Sequence, residues 1–192
     1  PYLELTVMGA RGESDADLLL WGLMELGRAV SVSGDSAGGA ALLEEALMMS
    51  KELKDREREA SIRIHLGFIH GEQQRPEPYA EHTRRAVELY EELGDEEGLC
   101  FGLCNLGGAY LNLDELDEAA RCYDRAMQFA DPLPNARGLI LHGLSSIALI
   151  RGDVEEGLEL VERSAAIFRE TDNLHAIAYN ASITAARLRE LG

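Results

Sequence analysis

The sequence predicts an all-α solenoid of about four helical hairpins followed by one terminal capping helix, and three observations predict it. A leucine followed by a small residue recurs as Leu26-Gly27, Leu66-Gly67, Leu106-Gly107 and Leu144-Ser145, at steps of 40, 40 and 38 residues. Around each pair the apolar residues keep a period near 3.6, which is the spacing of one helix face. Polar turn signals containing Gly, Asp, Ser or Pro divide the chain between these stretches. A fixed internal period means that each unit buries its apolar face against the next, and 46% hydrophobic residues over 192 positions are enough for such a core.

The stretch Cys100 to Asp131 shows the unit most clearly. Leu103, Leu106, Gly107 and Tyr110 fall at i, i+3, i+4 and i+7, and after a polar turn Ala119, Tyr123 and Ala126 repeat the pattern. Gly107 and Ala119 are small where two helices must touch.

In chain order, residues 1–13 carry Leu3, Leu5, Val7 and Met8 ahead of Gly9 and Gly12, and read either as a lead-in or as the remnant of an upstream helix. The chain opens on Pro1, so it is expected to be a processed or excised piece of something longer. Residues 14–192 read as one solenoid with repeats at about 14–55, 56–95, 96–135 and 136–173 and a terminal helix at 174–190. Ser14 offers an N-cap, with Asp17 three residues on as a shortened capping box. The first repeat aligns Leu23, Leu26, Gly27 and Val30 with the stripe above, and Gly39, Leu43 and Ala46 with the second helix. The second repeat keeps Leu66, Gly67 and Ala86, but Arg63, His70, Tyr79 and Thr83 stand where the pattern wants a large apolar residue, an aromatic, an alanine and an aromatic. Pro76 and Pro78 suit a first helical turn. Asp131 to Asn135 breaks the third repeat, and the fourth carries Leu141, Leu144, Ser145 and Ala148, then Gly157, Val161 and Ser164. Ile177, Ala181, Ile183 and Leu188 mark the terminal helix, which is expected to cap the end.

The order of residues in the third repeat resembles the tetratricopeptide (TPR) signature across its length, with Pro132 supplying the final proline only approximately. A period of 40 is longer than the 34 residues of the commonest such unit. The segments RAVELYEELGD (85–95) and EALMMSKELKD (45–55) are similar to the long repeats in the C-terminal sensor domains of maltose-activator-type bacterial transcriptional regulators, and somewhat to kinesin light chain repeats. The resemblance implies a right-handed superhelix whose concave groove binds an inducer or a partner protein, while separate domains handle nucleotide and DNA. Nothing in residues 1–192 supplies those domains.

The charge is −17, from 35 acidic against 18 basic residues spread along the chain. Phosphate binding needs a basic surface, so no direct nucleic-acid partner is expected, and no membrane partner either. Cys100, Cys104 and Cys122 are odd in number and sit at helical positions, which points to reduced thiols and a cytoplasmic protein. No phosphate-binding loop, metal-ligand spacing or nucleophile motif is found, and His65, His70, His82, His142 and His175 are scattered. The chain is read as no enzyme, with no cofactor and no metal.

The stripe rotated beside the hairpin contact, at i, i+3, i+7 and i+10, is expected to face the groove. It supplies the candidate binding residues Trp21, Met24 and Arg28; Ile64 and Phe68; Phe101, Cys104 and Leu111; and His142 and Leu149, with Asn112 one step off. Such an apolar stripe fits a protein or peptide partner, or an apolar small molecule, taken up by the sensor part of a regulator. A free-standing adaptor working by protein association, including homo-oligomer formation, is the alternative, and an enzyme using the groove is a third.

Overall fold

In the computed structural model, residues 2–13 and 15–173 are described, together with 176–178, 181, 182, 184, 185 and 189. The described helices are α1 (Tyr2–Glu13), α2 (Ala16–Val32), α3 (Ser36–Leu53), α4 (Arg56–Glu72), α5 (Pro76–Leu93), α6 (Glu96–Asn112), α7 (Leu116–Met127), α8 (Pro134–Arg151) and α9 (Val154–Glu170), with no strand among these residues. The scattered residues described beyond 175 are helical, within the helix expected at 174–190. His175, Ile183 and Leu188 lie outside the described residues.

Aspartates set the frame. Asp15, Asp55 and Asp95 precede α2, α4 and α6, and each carboxylate accepts a hydrogen bond from the backbone N–H three residues on, at Leu18 (3.0 Å), Arg58 (3.0 Å) and Gly98 (2.9 Å). These caps satisfy N–H groups that a helix start leaves without partners. The cap of α2 is therefore Asp15 rather than the expected Ser14, which lies outside the described residues. Gly94 and Gly152 end α5 and α8 in the left-handed conformation at φ of 68° and 89°, where a side chain would be strained. Pro76 and Pro134 open α5 and α8, where a missing N–H costs nothing.

The chain divides into two compact units, Pro1–Gly94 and Asp95–Gly192. In the first, α2 pairs with α3 and α4 with α5, α3 packs on α4, and α1 packs on α2. Leu20, Leu23, Leu43, Leu47, Ile62, Leu66 and Ile69 form its core. In the second, α6 pairs with α7 and α8 with α9, and α8 also packs on α6 and α7.

Each hairpin is closed by one bulky side chain seated on a glycine of its first helix. A Cβ added to Gly27 would come within 2.8 Å of Leu43, one on Gly71 within 3.0 Å of the Tyr79 ring, one on Gly107 within 2.7 Å of the Tyr123 ring, and one on Gly138 within 2.5 Å of the Phe168 ring. This explains the irregular second repeat. Tyr79 replaces the usual alanine because Gly71 makes room for it, and Thr83 then fills the smaller space beside Gly67, its hydroxyl donating to the Tyr79 carbonyl at 2.7 Å. Arg63 is paired with Glu59 at 2.8 Å, both side chains largely covered.

Cys100, Cys104 and Cys122 are free and buried. Cys100 Sγ donates to the Ala126 carbonyl across the hairpin at 3.4 Å; the Cys100 thiol beside it and burial push the Cys104 thiol well up, while the hydrogen bond with Cys104 draws the Cys100 thiol down. Reaction needs a thiolate that the reagent can reach, and all three sulfurs are buried. Native protein at pH 7.5 should therefore show almost no labelling by a disulfide-exchange reagent on a timescale of minutes, and three equivalents in denaturant. Rapid labelling of any of the three without denaturant would contradict this packing.

Candidate functional site

Helix geometry decides which of the expected groove residues face outward. At 3.6 residues per turn, positions i and i+7 lie within about 20° of each other, whereas i+3 and i+10 swing about 60–80° toward the hairpin interface. The first unit follows this division, whereas in the second Ser146, at i+7 on α8, is buried as well. Trp21 and Phe68, at i and i+7, are 41% and 52% exposed, and Arg28, also at i+7, is exposed. Met24, Cys104 and His142 at i+3, and Leu149 at i+10, are buried, so the expectation that they line an open groove is corrected. Met24 belongs to the core of the first unit, and Leu149 packs onto Gly157, where an added Cβ would come within 2.7 Å. Ile64, Phe101 and Leu111 are half-buried and Asn112 is exposed.

In the first unit the outward face belongs to α2 and α4, which touch. On α2 it carries Trp21, Glu25 and Arg28, with Arg28 ion-paired to Glu25 at 3.0 Å. On α4 it carries Ile64, His65 and Phe68. Burial pulls the His65 pKa down from the usual 6.5 to about 4, Arg28 adding to the fall and Glu25 opposing it. The imidazole is thus a neutral hydrogen-bonding group at neutral pH, near the paired Arg28 guanidinium and on the helix that carries Phe68. Glu25 and His65 escaped the sequence reading because they sit at i+4, a position that the i, i+3, i+7 count passes over. In the second unit, Asn105 occupies the equivalent place on α6 and donates to the Phe101 carbonyl at 2.8 Å. On α8 this stripe turns inward, and Ser146 is buried along with His142 and Leu149.

A second cluster lies between α4 and α5. His70 and His82 stack with ring centroids 5.3 Å apart, and the Nδ1 atoms of both are buried without a hydrogen-bond partner. Burial first lowers both pKa values, that of His82 to about 4, with Arg63 and Lys51 adding to the effect and Glu81 opposing it. Arg75 also lowers the His70 value, against the pull of Glu44 and a hydrogen bond with Gln73. Among the described residues no group of three or more His, Cys, Asp or Glu could hold a metal ion, and no helix is long and apolar enough to cross a membrane.

No family model matches this sequence, and no curated protein matches it. Solved structures do. BtubC (BKLC) from P. vanneervenii is similar at a TM-score of 0.71 with 23% identity, over 82% of this chain and 66% of that one. A Podosopora anserina putative kinesin light chain with nearly identical TPR-like repeats is similar at 0.64 with 18% identity, over 88% and 89% of the two chains. A Rap protein solved in complex with competence and sporulation factor is similar at 0.67 with 13% identity, over 99% of this chain and 58% of that one. The chain spans less than two thirds of the length of BtubC and of the Rap protein. These likenesses establish a TPR-like helical fold.

Proposed function

We propose that the chain is a binding module for a peptide segment of a partner protein, received on the α2–α4 face of its first unit. The observation that carries this reading is the pair Trp21 and Phe68, two large aromatics left exposed on the first helices of adjacent hairpins. Aromatics in such positions are the usual anchors of a protein interface, and each costs solubility unless a partner covers it. The Rap protein of similar fold, seen with its factor, supports a binding role for a scaffold of this kind. A charge of −17 favours a segment that carries Lys or Arg beside its apolar anchors, and makes association salt-dependent. An open face suits a peptide better than a small molecule, which is held in an enclosed pocket. In this reading the module does no chemistry itself and acts as the sensor part of a larger regulator.

Peptides selected from a random library on the immobilised chain should be basic-apolar. Phe68→Ala and Trp21→Ala should each weaken the selected peptides by ~1–3 kcal/mol, with the thermal midpoint little changed because both side chains are already half in water. Affinity that survives both substitutions would sink the reading.

A further inference from the structure

The helix α1 repeats, residue for residue at a step of 40, the second helices of the hairpins that follow it. Val7, Leu47 and Val87 are buried at one position, and Ala10, Ser50 and Tyr90 at another. The Asp15 N–H donates to the Ala10 carbonyl at 3.1 Å just as the Asp55 N–H donates to the Ser50 carbonyl at 2.8 Å, a bond that the ends of α1 and α3 share. Thr6 and Val7 pack on α2, where a Cβ on Gly22 would lie 3.1 Å from Val7. On this flank α1 packs as the last three turns of α3 and α5 do.

On the other flank it does not. Leu43, Thr83 and Tyr123 are buried on the glycines of their first helices, while Leu3 is only half-buried. Ala46, Ala86 and Ala126 are fully buried, while Thr6 is half-buried. Leu42 and His82 are half-buried and Cys122 is buried, while Tyr2 at the same position is 76% exposed. Leu5 is 65% exposed at a place that the later repeats fill with Glu45, Arg85 and Arg125.

We infer that the face of α1 bearing Tyr2 and Leu3 is a docking seat for one amphipathic helix of the first-helix class, supplied from outside residues 1–192. The chain itself specifies the occupant three times, in α2, α4 and α6. The helix carries a glycine or another small residue where Leu3 must sit, as Gly27, Gly67 and Gly107 do under or beside Leu43, Thr83 and Tyr123, with a leucine immediately before it. Docked, it continues the hairpin packing that begins at α2. A second copy of the chain is a poor occupant, since α2, α4, α6 and α8 are each already paired within their own hairpins.

The test uses the full chain and a synthetic peptide with the sequence of residues 15–34, read by hydrogen exchange of the α1 amides from Thr6 to Gly9. At a free peptide concentration ten times its Kd, exchange there should slow by about tenfold. The same peptide with Gly27→Leu should give no protection, and the chain variant Tyr2→Glu, altered at an exposed site, should lose the effect while keeping its thermal midpoint. Equal protection by both peptides, or none at ~1 mM, would overturn the proposal. So would sedimentation showing the chain alone as a dimer that Tyr2→Glu dissociates, since a second copy would then occupy the seat.

Discussion

Tyr123→Ala should lower the stability of the second unit by ~3–5 kcal/mol, the usual loss for truncating a buried aromatic. The ring is 4% exposed and is held between glycines of two helices, Gly107 of α6 and Gly143 of α8. A Cβ on Gly143 would lie 2.1 Å from the ring carbon Cζ, and with Gly107 close on the ring as well it has little room to retreat. Gly143→Ala should therefore also destabilise, by ~1–3 kcal/mol, outweighing the ~1 kcal/mol that alanine gains over glycine in a helix. Gly12→Ala is the control, because nothing lies within 4 Å of the added methyl, and it should be neutral or mildly stabilising. Urea denaturation followed by circular dichroism reads all three. A Gly143→Ala protein as stable as the parent would show that Tyr123 does not sit as described.

Acid should unfold the chain through its histidines before its carboxylates. His65 and His82 titrate near 4 in the folded chain and near 6.5 when unfolded, because burial disfavours the charged imidazole. The unfolded state therefore binds more protons between these values. Stability is fully present above pH 6.5, declines as the pH falls toward 4, and levels off below. Both side chains are partly open to water, so a loss of about 1–2 kcal/mol each is expected rather than the full value of the shift. His70 is lowered in the same direction and adds to the slope. Asp17, held below its usual range by its hydrogen bond to Arg58, loses its contribution only at still lower pH. Denaturation midpoints measured from pH 7.5 to 4 should fall, and His82→Phe should flatten the fall by about 1 kcal/mol. A midpoint independent of pH across this window would mean that both His65 and His82 are hydrated.

The fold was legible because the features that build it are local and periodic. Leucine-glycine pairs at a step of 40, prolines at helix starts and glycines at helix ends can each be read without knowing what lies across the contact. The candidate site was legible only in part. Trp21, Arg28 and Phe68 fall on the outward face because i and i+7 nearly coincide on a helix. Met24 and Cys104 do not, because i+3 drifts toward the neighbour and residue type cannot report a rotation of that size; His142 and Leu149 do not because α8 packs on α6, α7 and α9, which buries Ser146 at i+7 as well. Tyr79 looked like a fault in the second repeat for a related reason: the glycine that accommodates it, Gly71, lies one turn beyond the position that the signature inspects. The orphaned ring nitrogens of His70 and His82 belong to two helices, and no spacing within either one announces them.

The seating of one bulky side chain per hairpin has a consequence for how such a chain can change by recombination. The seat lies at a different height in successive hairpins, at Gly71 for Tyr79 but at Gly107 for Tyr123. Were α5 to follow α6, the Tyr79 ring would arrive opposite Leu111, which stands where α4 has Gly71. The two helices of a hairpin must therefore be inherited together, and duplication or loss is tolerated in whole hairpins cut at the turns near Lys54 and Gly94 but not in single helices. The indivisible unit of descent is the matched pair, knob and socket, rather than the helix.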